Sequence, residues 1–154
     1  MDNDFNGELL DPDELAAWRG MLRVHASMTH ALDAELVRAH DLPLSSYEVL
    51  LFLADAPAGR LRMSELADGV LLSRSGLTRL VDRLEKAGLL ERERCDDDAR
   101  GWFATITPLG RQLFADARET HLAGVRDRFL IHFSRSELRQ LGQLWNRVAP
   151  GAAS

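Results

Sequence analysis

Residues 88–110, GLLERERCDDDARGWFATITPLG, decide the predicted fold of this 154-residue chain. Within this stretch LLERER (89–94) and WFATIT (102–107) resemble the two strands of a hairpin, and the alternation of apolar and polar residues in WFATIT is typical of a half-buried strand. The segment between them is polar and includes three consecutive aspartates, which favours a turn. Residues 88–110 therefore predict a β-hairpin, and the flanking segments decide what the hairpin is attached to.

Two helical segments joined by a tight turn precede the hairpin. A brief extended stretch, RLRM (60–63), leads into SELADGV (64–70), which predicts a short helix. The following SRSGLTRLVDRLEKAG (73–88) predicts a longer helix with Ser73 as its N-cap and Gly88 as its terminator. Its apolar residues recur at i, i+3, i+4 and i+7 and form one buried stripe, Leu77, Leu80, Val81 and Leu84. Two helices in this order predict a helix-turn-helix.

The opposite face of the longer helix carries arginine and hydroxyl side chains. They are Arg74, Ser75, Thr78, Arg79 and Arg83. Arginine can donate to guanine edges or phosphates, and short hydroxyl side chains let a helix approach the major groove closely. The alternative is an ordinary solvated face, on which Arg79, Asp82, Arg83 and Glu85 pair with one another.

A two-stranded ribbon directly after a helix-turn-helix is the layout of a winged helix. The loop of such a wing can reach the adjacent minor groove, where a lone arginine suits the narrow and strongly negative surface. Arg100 is the candidate for this contact, and Asp98 can orient its guanidinium by a charge-assisted hydrogen bond. Asp96 and Asp97 would repel phosphate and are interpreted as a polar turn.

Two helices are predicted ahead of the helix-turn-helix. Asp11, followed by proline and two acids, predicts an N-cap and a helix that runs to about His40. LPLSSYEVLLFLAD (42–55) predicts the second helix, with Ser45 and Glu48 forming a capping box.

Two more helices are predicted after the hairpin. Thr107, followed by proline, begins a helix through about Ile131. Ser134 and Glu137 form a capping box that opens a final helix to about Val148. These two helices carry more apolar surface than one helix pair should leave exposed, which favours burial against a second subunit.

The composition is that of one globular domain, with 45% apolar and 28% charged residues. No phosphate-binding loop, GxSxG or HExxH pattern is present, so the chain is not predicted to be an enzyme. The single cysteine and five histidines lack zinc-type spacing, and neither a metal nor a cofactor is predicted. The chain has no signal-peptide pattern and no apolar run long enough for a membrane span. We therefore expect a cytoplasmic protein with no membrane partner.

The net charge of −5 is distributed unevenly along the chain. Residues 1–59 hold 3 basic and 11 acidic side chains, residues 60–101 hold 9 of each, and residues 102–154 hold 7 basic and 4 acidic ones. A segment without net charge can still bind phosphate if its arginines share one face, because the local field matters more than the total charge.

From about Leu42 to Gly110 the sequence resembles the MarR family of bacterial transcription regulators. The family's wing pattern reads Gly-Leu-apolar-x-Arg, five residues, Asp-x-Arg, a strand, Thr, two residues, Gly. The matching positions here are Gly88, Arg92, Asp98, Arg100, Thr107 and Gly110. Residues 64–90 likewise resemble the family's paired helices, with Thr78, Arg79 and Leu84 in place. Many members carry proline in the wing, where this chain has Cys95 and Asp96.

The resemblance implies a mainly α fold with a small β-hairpin wing, an α+β winged helix-turn-helix with six helices in an intertwined homodimer. Residues 1–154 would form a single MarR-like domain. Residues 42–107 would be its DNA-binding lobe, and residues 11–41 and 108–148 its helical dimerisation region. A pocket is expected between the two regions.

Some MarR-like proteins release DNA when they bind phenolic or other aromatic acids. Trp18, His25 and Tyr47 are the candidate ligand-binding residues here, because an effector site needs apolar walls and a few polar groups. The alternative for each is packing in the core or at an interface. Other members sense oxidants through a cysteine near the N-terminus, whereas Cys95 lies in the wing beside aspartates that disfavour a thiolate. Redox sensing is therefore not predicted.

These features predict a sequence-specific, double-stranded DNA-binding transcription regulator, a repressor that binds a pseudo-palindromic operator as a dimer and is released by a small aromatic effector. The alternative from another class is a winged-helix module for protein–protein contact, which the acidic N-terminal third would suit. Steeply salt-dependent binding to specific duplex DNA would favour the regulator.

Overall fold

The computed structural model describes residues 10–70, 74–95 and 101–151. Helices and strands follow one another in the predicted order, with one strand more than the hairpin requires. They are α1 (Pro12–His40), α2 (Leu44–Asp55), β1 (Arg60–Arg62), α3 (Met63–Gly69), α4 (Arg74–Lys86), β2 (Leu90–Arg94), β3 (Trp102–Ile106), α5 (Pro108–Arg128) and α6 (Arg135–Val148). Short 3-10 turns cover Pro57–Gly59 and Leu130–His132.

Three helices begin at the predicted N-caps. The Asp11 side chain accepts hydrogen bonds from the backbone N–H groups of Asp13 and Glu14, and Glu14 completes a capping box. Ser134 and Glu137 form the same arrangement at the start of α6. Thr107 accepts from the Gly110 N–H at the start of α5. These predictions are confirmed, because a cap depends on residues only two or three positions apart.

The predicted capping box of α2 is wrong. The helix begins at Leu44, so Ser45 lies inside its first turn, and the N-cap position is Pro43, which makes no side-chain cap hydrogen bond. The Leu44 N–H donates instead to Asp33 Oδ1 on α1 at 2.8 Å. A carboxylate supplied by another helix therefore satisfies a free N–H of the first turn, which the local sequence does not predict.

The strands form a three-stranded antiparallel sheet in the order β1-β3-β2. The predicted hairpin is confirmed, with Arg94 opposite Trp102 and Leu90 opposite Ile106. The stretch RLR, predicted only as extended, pairs with the other edge of β3 and places Arg62 opposite Phe103. We call β2, β3 and the segment that joins them, residues 90–106, the wing.

The core lies where α2 packs on α1, α5 and β3, and α3 and α4 close it by packing on the sheet. The predicted stripe of α4 is buried throughout, and Val81 is fully inside. The largest fully buried side chains are Leu36, Leu50, Leu53, Leu66, Leu77, Leu90, Val49 and Val81. Each such side chain stabilises the fold by roughly 1.5–3 kcal/mol relative to exposure. The result is a winged helix-turn-helix with six α-helices among the described residues.

The junction between the wing and α5 is tightly packed. Thr107 Oγ1 donates to the Gly88 carbonyl at 2.6 Å, and the Thr107 N–H donates to the Leu89 carbonyl at 3.1 Å. A Cβ on Gly110 would lie 2.0 Å from the same Leu89 carbonyl oxygen, so only glycine fits at this position. These contacts therefore fix the start of α5 against the residues that precede β2.

The last two helices differ from their predicted extent and packing. α5 ends at Arg128, three residues before the predicted Ile131, and the 3-10 turn that follows brings the Phe129 and Phe133 rings to 5.1 Å between centroids. No residue of α6 is buried, and the exposed fraction of Val148 reaches 76%. The described residues of the chain therefore do not cover the apolar face of this amphipathic helix.

Candidate nucleic-acid interface

One face of α4 anchors the helix and the other presents polar side chains to solvent. The buried stripe holds the helix against the core, and the exposed residues on the other side include Ser75, Thr78, Arg79 and Arg83. Arg74 is the first residue of α4, and its side chain lies outside the described part of the structure. Anchoring by periodic leucines is therefore what fixes the direction of the outward side chains.

The two arginines of this face whose side chains the structure describes, Arg79 and Arg83, do not pair with the acids of their own helix. Among the described residues, no carboxylate lies within salt-bridge distance of Arg79 or Arg83, and Arg79 Nε donates to the Ser75 carbonyl at 3.4 Å. Asp82 and Glu85 pair with Arg92 on β2 instead. The solvated-face alternative, in which these four helical residues neutralise one another, is wrong in this respect.

The tip of the wing falls outside the described residues. Asp98 and Arg100, the predicted minor-groove pair, lie there, as does the predicted N-cap Ser73. At the base of the tip the Cys95 N–H donates to the Gly101 carbonyl at 2.9 Å, and the Cys95 side chain is buried. The roles of Asp98 and Arg100 stay predictions from the sequence.

The sheet carries an arginine–aromatic surface that sequence reasoning missed. The guanidinium carbon of Arg60 lies 3.9 Å from the Phe103 ring centroid, and that of Arg62 lies 5.4 Å from the same centroid. Arg94 lies 5.3 Å from the Trp102 ring centroid on the hairpin. The sequence shows two alternating arginines in RLR and two adjacent aromatic residues in β3. These residues predict an arginine–aromatic surface only if β1 is known to pair with β3.

The short helix α3 packs beside α4 and leaves a shallow pocket between them. Its lining includes Met63 and Ala67 of α3 and Leu77 and Thr78 of α4. At the end of α3, a Cβ on Gly69 would lie 2.9 Å from the Phe52 ring, so glycine permits the close approach of α2 and α3. Glycine at this position therefore holds α3 close to α2, beside the pocket that α3 shares with α4.

The three candidate effector residues occupy two different environments. Tyr47 is buried, with its ring stacked on His121 at 4.6 Å between centroids and tilted against Phe114 at 5.4 Å. Trp18 and His25 lie seven positions apart on one exposed face of α1. Burial raises the pKa of the Glu48 carboxyl, and the charge of nearby His25 acts in the opposite direction. The structure therefore leaves Trp18 and His25 on the surface of α1 and Tyr47 inside the core.

His121 is expected to make the stability of the fold depend on pH. Burial lowers the pKa of His121, and its Nδ1 is buried without a hydrogen-bond partner. Below about pH 6.5 the unfolded chain binds a proton at His121 more readily than the folded chain does. The contribution of neutral His121 to the free energy of unfolding is therefore complete above that pH and declines as the pH falls. We expect His121→Phe, which keeps an aromatic ring against Tyr47, to lessen the loss of unfolding free energy between about pH 7.5 and pH 5.5 in urea titrations. His132→Phe, at an exposed histidine, is the control, and an equal effect of both substitutions would contradict the assignment.

No described helix combines the length and apolarity that a bilayer crossing requires. Among the same residues, no group of three His, Cys, Asp or Glu side chains is placed to hold a metal ion.

Several known proteins that this chain resembles in sequence and fold are transcription regulators. Residues 40–101 match the sequence profile of the MarR family. The solved structure of AbsC, a MarR family transcriptional regulator from Streptomyces coelicolor, is 33% identical, covers 92% of this chain and 95% of its own, and superimposes with a TM-score of 0.85. The structure of Sco3205, a MarR family regulator from the same organism solved in complex with DNA, is 34% identical, covers 93% of this chain and 90% of its own, and has a TM-score of 0.87.

A curated relative gives the same class of protein. The transcriptional regulator PecS from Dickeya dadantii (strain 3937) is 29% identical over 140 residues, which cover 90% of this chain and 83% of PecS. The likeness therefore extends beyond the helix-turn-helix to the first and last helices.

Proposed function

Because this chain belongs to the MarR family of transcription regulators, we propose that it is a homodimeric repressor that binds a pseudo-palindromic operator in double-stranded DNA. In this proposal α4 enters the major groove, and Ser75, Thr78, Arg79 and Arg83, together with Arg74, contact bases and phosphates. Arg100, oriented by Asp98, reaches the adjacent minor groove. The protein acts in the cytoplasm, where bacterial DNA is found.

The single observation that carries the proposal is the geometry of α4. One buried leucine–valine stripe holds the helix, and the two arginines on its outer face whose side chains the structure describes, Arg79 and Arg83, form no ion pair with an acid of the same helix. Guanidinium groups that form no ion pair, beside short hydroxyl side chains, suit the phosphates and base edges of a major groove. The DNA in the Sco3205 structure supports the same use of this fold.

The uncovered face of α6 supports the homodimer. Leu144 and Val148 are exposed one turn apart on α6, and Ile131 is exposed in the turn before it. A second copy of the chain would remove this apolar surface from water, with residues 11–41 and 108–148 as the dimerisation region. Two copies of α4 would then face half-sites about 34 Å apart, one turn of DNA.

Release by a small aromatic effector stays a prediction. Trp18 and His25 are accessible on α1, whereas Tyr47 would have to leave its stack with His121 to contact a ligand. A direct check is isothermal titration of the protein with an aromatic carboxylate such as salicylate, followed by operator binding in its presence. An effector predicts a saturable heat and weaker operator binding.

The proposal is tested by selecting bound sequences from random duplex DNA. A dimeric regulator predicts an enriched inverted repeat with a half-site spacing of about 10 base pairs. It also predicts that the affinity for this DNA falls steeply with salt, because phosphate contacts release counterions. A protein–protein contact module predicts no enriched sequence, and that result would reject the regulator.

Arg79→Ala is expected to weaken operator binding by about 1–3 kcal/mol, the discrimination associated with a side chain that reads a base. Arg79 is exposed on α4, so the substitution should leave the melting temperature nearly unchanged. Fluorescence anisotropy with the selected operator and with scrambled DNA measures the effect on specificity. Arg126→Ala removes the same charge from an exposed position of α5 and is the control. Equal losses in the two variants would show that only net charge matters.

A further inference from the structure

The strongest polar contact in the DNA-binding region joins the wing to α4. Arg92 Nε and Nη2 donate to Glu85 Oε2 at 3.0 and 2.6 Å, and the Arg92 backbone N–H donates to Glu85 Oε1 at 3.0 Å. Arg92 Nη2 also lies 2.7 Å from Asp82 Oδ1. Both oxygens of one helical carboxylate therefore hold the main chain and the side chain of one wing residue. We call Asp82, Glu85 and Arg92 the α4–β2 clamp.

The clamp is more than a solvated surface pair. The exposed fraction of the side chain is 26% for Arg92 and 34% for Glu85, so water competes only in part for their hydrogen bonds. The hydrogen bonds from Arg92 lower the pKa of the Glu85 carboxyl, and the same contact raises the pKa of Arg92. A main-chain donor in the contact also fixes the strand itself, which a contact between two flexible side chains cannot do.

The clamp acts at the point where the wing leaves the helix. The chain turns between α4 and β2 through Gly88, whose φ is +73°. The inner face of β2 is anchored by buried Leu90, but the strand extends from there towards the exposed Arg94. Arg92 lies between these two positions, so its contacts limit how far the outer half of β2 can swing from α4.

We infer that Arg92 is a positioning residue for DNA binding, which holds the wing at a fixed angle to α4 through Glu85 without contacting DNA itself. The inference rests on the proposed function, since it concerns how two DNA-contacting elements are kept in register. Simultaneous contacts in neighbouring grooves gain affinity from a rigid connection, because less freedom is lost on binding.

The direction in which the removal of Glu85 changes the affinity for DNA distinguishes a positioning role from a simple charge effect. Glu85 is an anion close to the proposed phosphate-binding face, so by charge alone its removal should strengthen DNA binding. In the clamp the same removal leaves the Arg92 side chain held by Asp82 alone and frees the Arg92 main chain, so it should loosen the wing and weaken binding. A direct contact of Arg92 with DNA would make only the arginine substitution harmful.

The experiment compares Glu85→Ala, Arg92→Ala and the double variant in operator binding by the full-length protein. Glu91→Ala is the matched control, because it removes a carboxylate from an exposed neighbouring position on β2. We expect each clamp variant to lose affinity about tenfold, within the range for residues of one salt-bridge network, and the double variant to lose no more than the worse single one. The control should bind as well as the wild type or better. Amide exchange at Arg92 should accelerate in Glu85→Ala and not in the control.

Several outcomes would overturn the inference. One is unchanged or increased operator affinity of the Glu85→Ala variant. Another is a loss of affinity in the double variant that equals the sum of the two single losses. Arg92→Lys keeps the charge but cannot make the forked contact, so it should lose affinity while preserving the folded core in a thermal melt. Wild-type affinity in this variant would show that charge alone suffices. Failure of the wild type to bind any selected duplex would instead reject the proposed function.

Discussion

Leu144→Glu combined with Val148→Glu is expected to convert a homodimer into monomers and to abolish operator binding. Both side chains are exposed in the single chain, so the carboxylates meet no unfavourable contact within it. In the proposed dimer they would become buried without a partner, which is destabilising by several kcal/mol. Affinity for the full operator should fall more than about 100-fold, because each monomer can hold only one half-site.

Sedimentation equilibrium at micromolar concentration measures the first effect, and anisotropy with a full operator and a half-site measures the second. Gln143→Glu places one carboxylate on the polar side of the same helix and is the control. A double variant that stays dimeric and binds like the wild type would remove α6 from the dimer interface.

The second large effect is expected for Gly110→Ala. The added Cβ would lie 2.0 Å from the Leu89 carbonyl oxygen and 3.0 Å from the Ile106 side chain. The backbone oxygen cannot move without breaking the hydrogen bond that Leu89 accepts from the Thr107 N–H. We expect the free energy of unfolding to decrease by at least about 3 kcal/mol, the range of overpacking and backbone strain together.

Chemical denaturation of the purified variant measures this loss. Gly20→Ala is the matched control, since a Cβ at Gly20 meets no atom within 4 Å and alanine favours the interior of α1. The control should be as stable as the wild type or more stable by about 1 kcal/mol. Equal stability of Gly110→Ala and the wild type would show that the α5 junction can relax.

Much of the proposed DNA-binding surface follows from the periodicity of one helix. Leucine and valine at positions 77, 80, 81 and 84 define a buried side, so the residues opposite them must face solvent. Ser75, Thr78, Arg79 and Arg83 were predicted in this way and are exposed. Their contacts with DNA stay proposals, because exposure is a requirement of recognition and not recognition itself.

The parts that sequence reasoning missed depend on contacts between distant residues. Arg92 was predicted to lie in the first strand of the hairpin and to match the family's wing pattern, with no partner assigned, and the structure pairs it with Glu85 across the turn at Gly88. Tyr47 was a candidate for the effector pocket, and the structure stacks it on His121, 74 positions later in the chain. Neither partner can be chosen from the local sequence, which offers several arginines, acids and aromatics of equal suitability.

The sequence by itself determined the order of the helices and the hairpin, three of the helix starts and the direction of the α4 stripe. Caps and stripes depend on residues two to seven positions apart, and hydrogen bonds or burial at that range follow from backbone geometry alone. Only the tertiary structure decided that Asp33 caps α2, that β1 joins the wing sheet, and that Arg92 clamps the wing to α4. Each of these contacts joins segments that are brought together by the packing of the whole core. The spacing of residues within one segment therefore does not predict them.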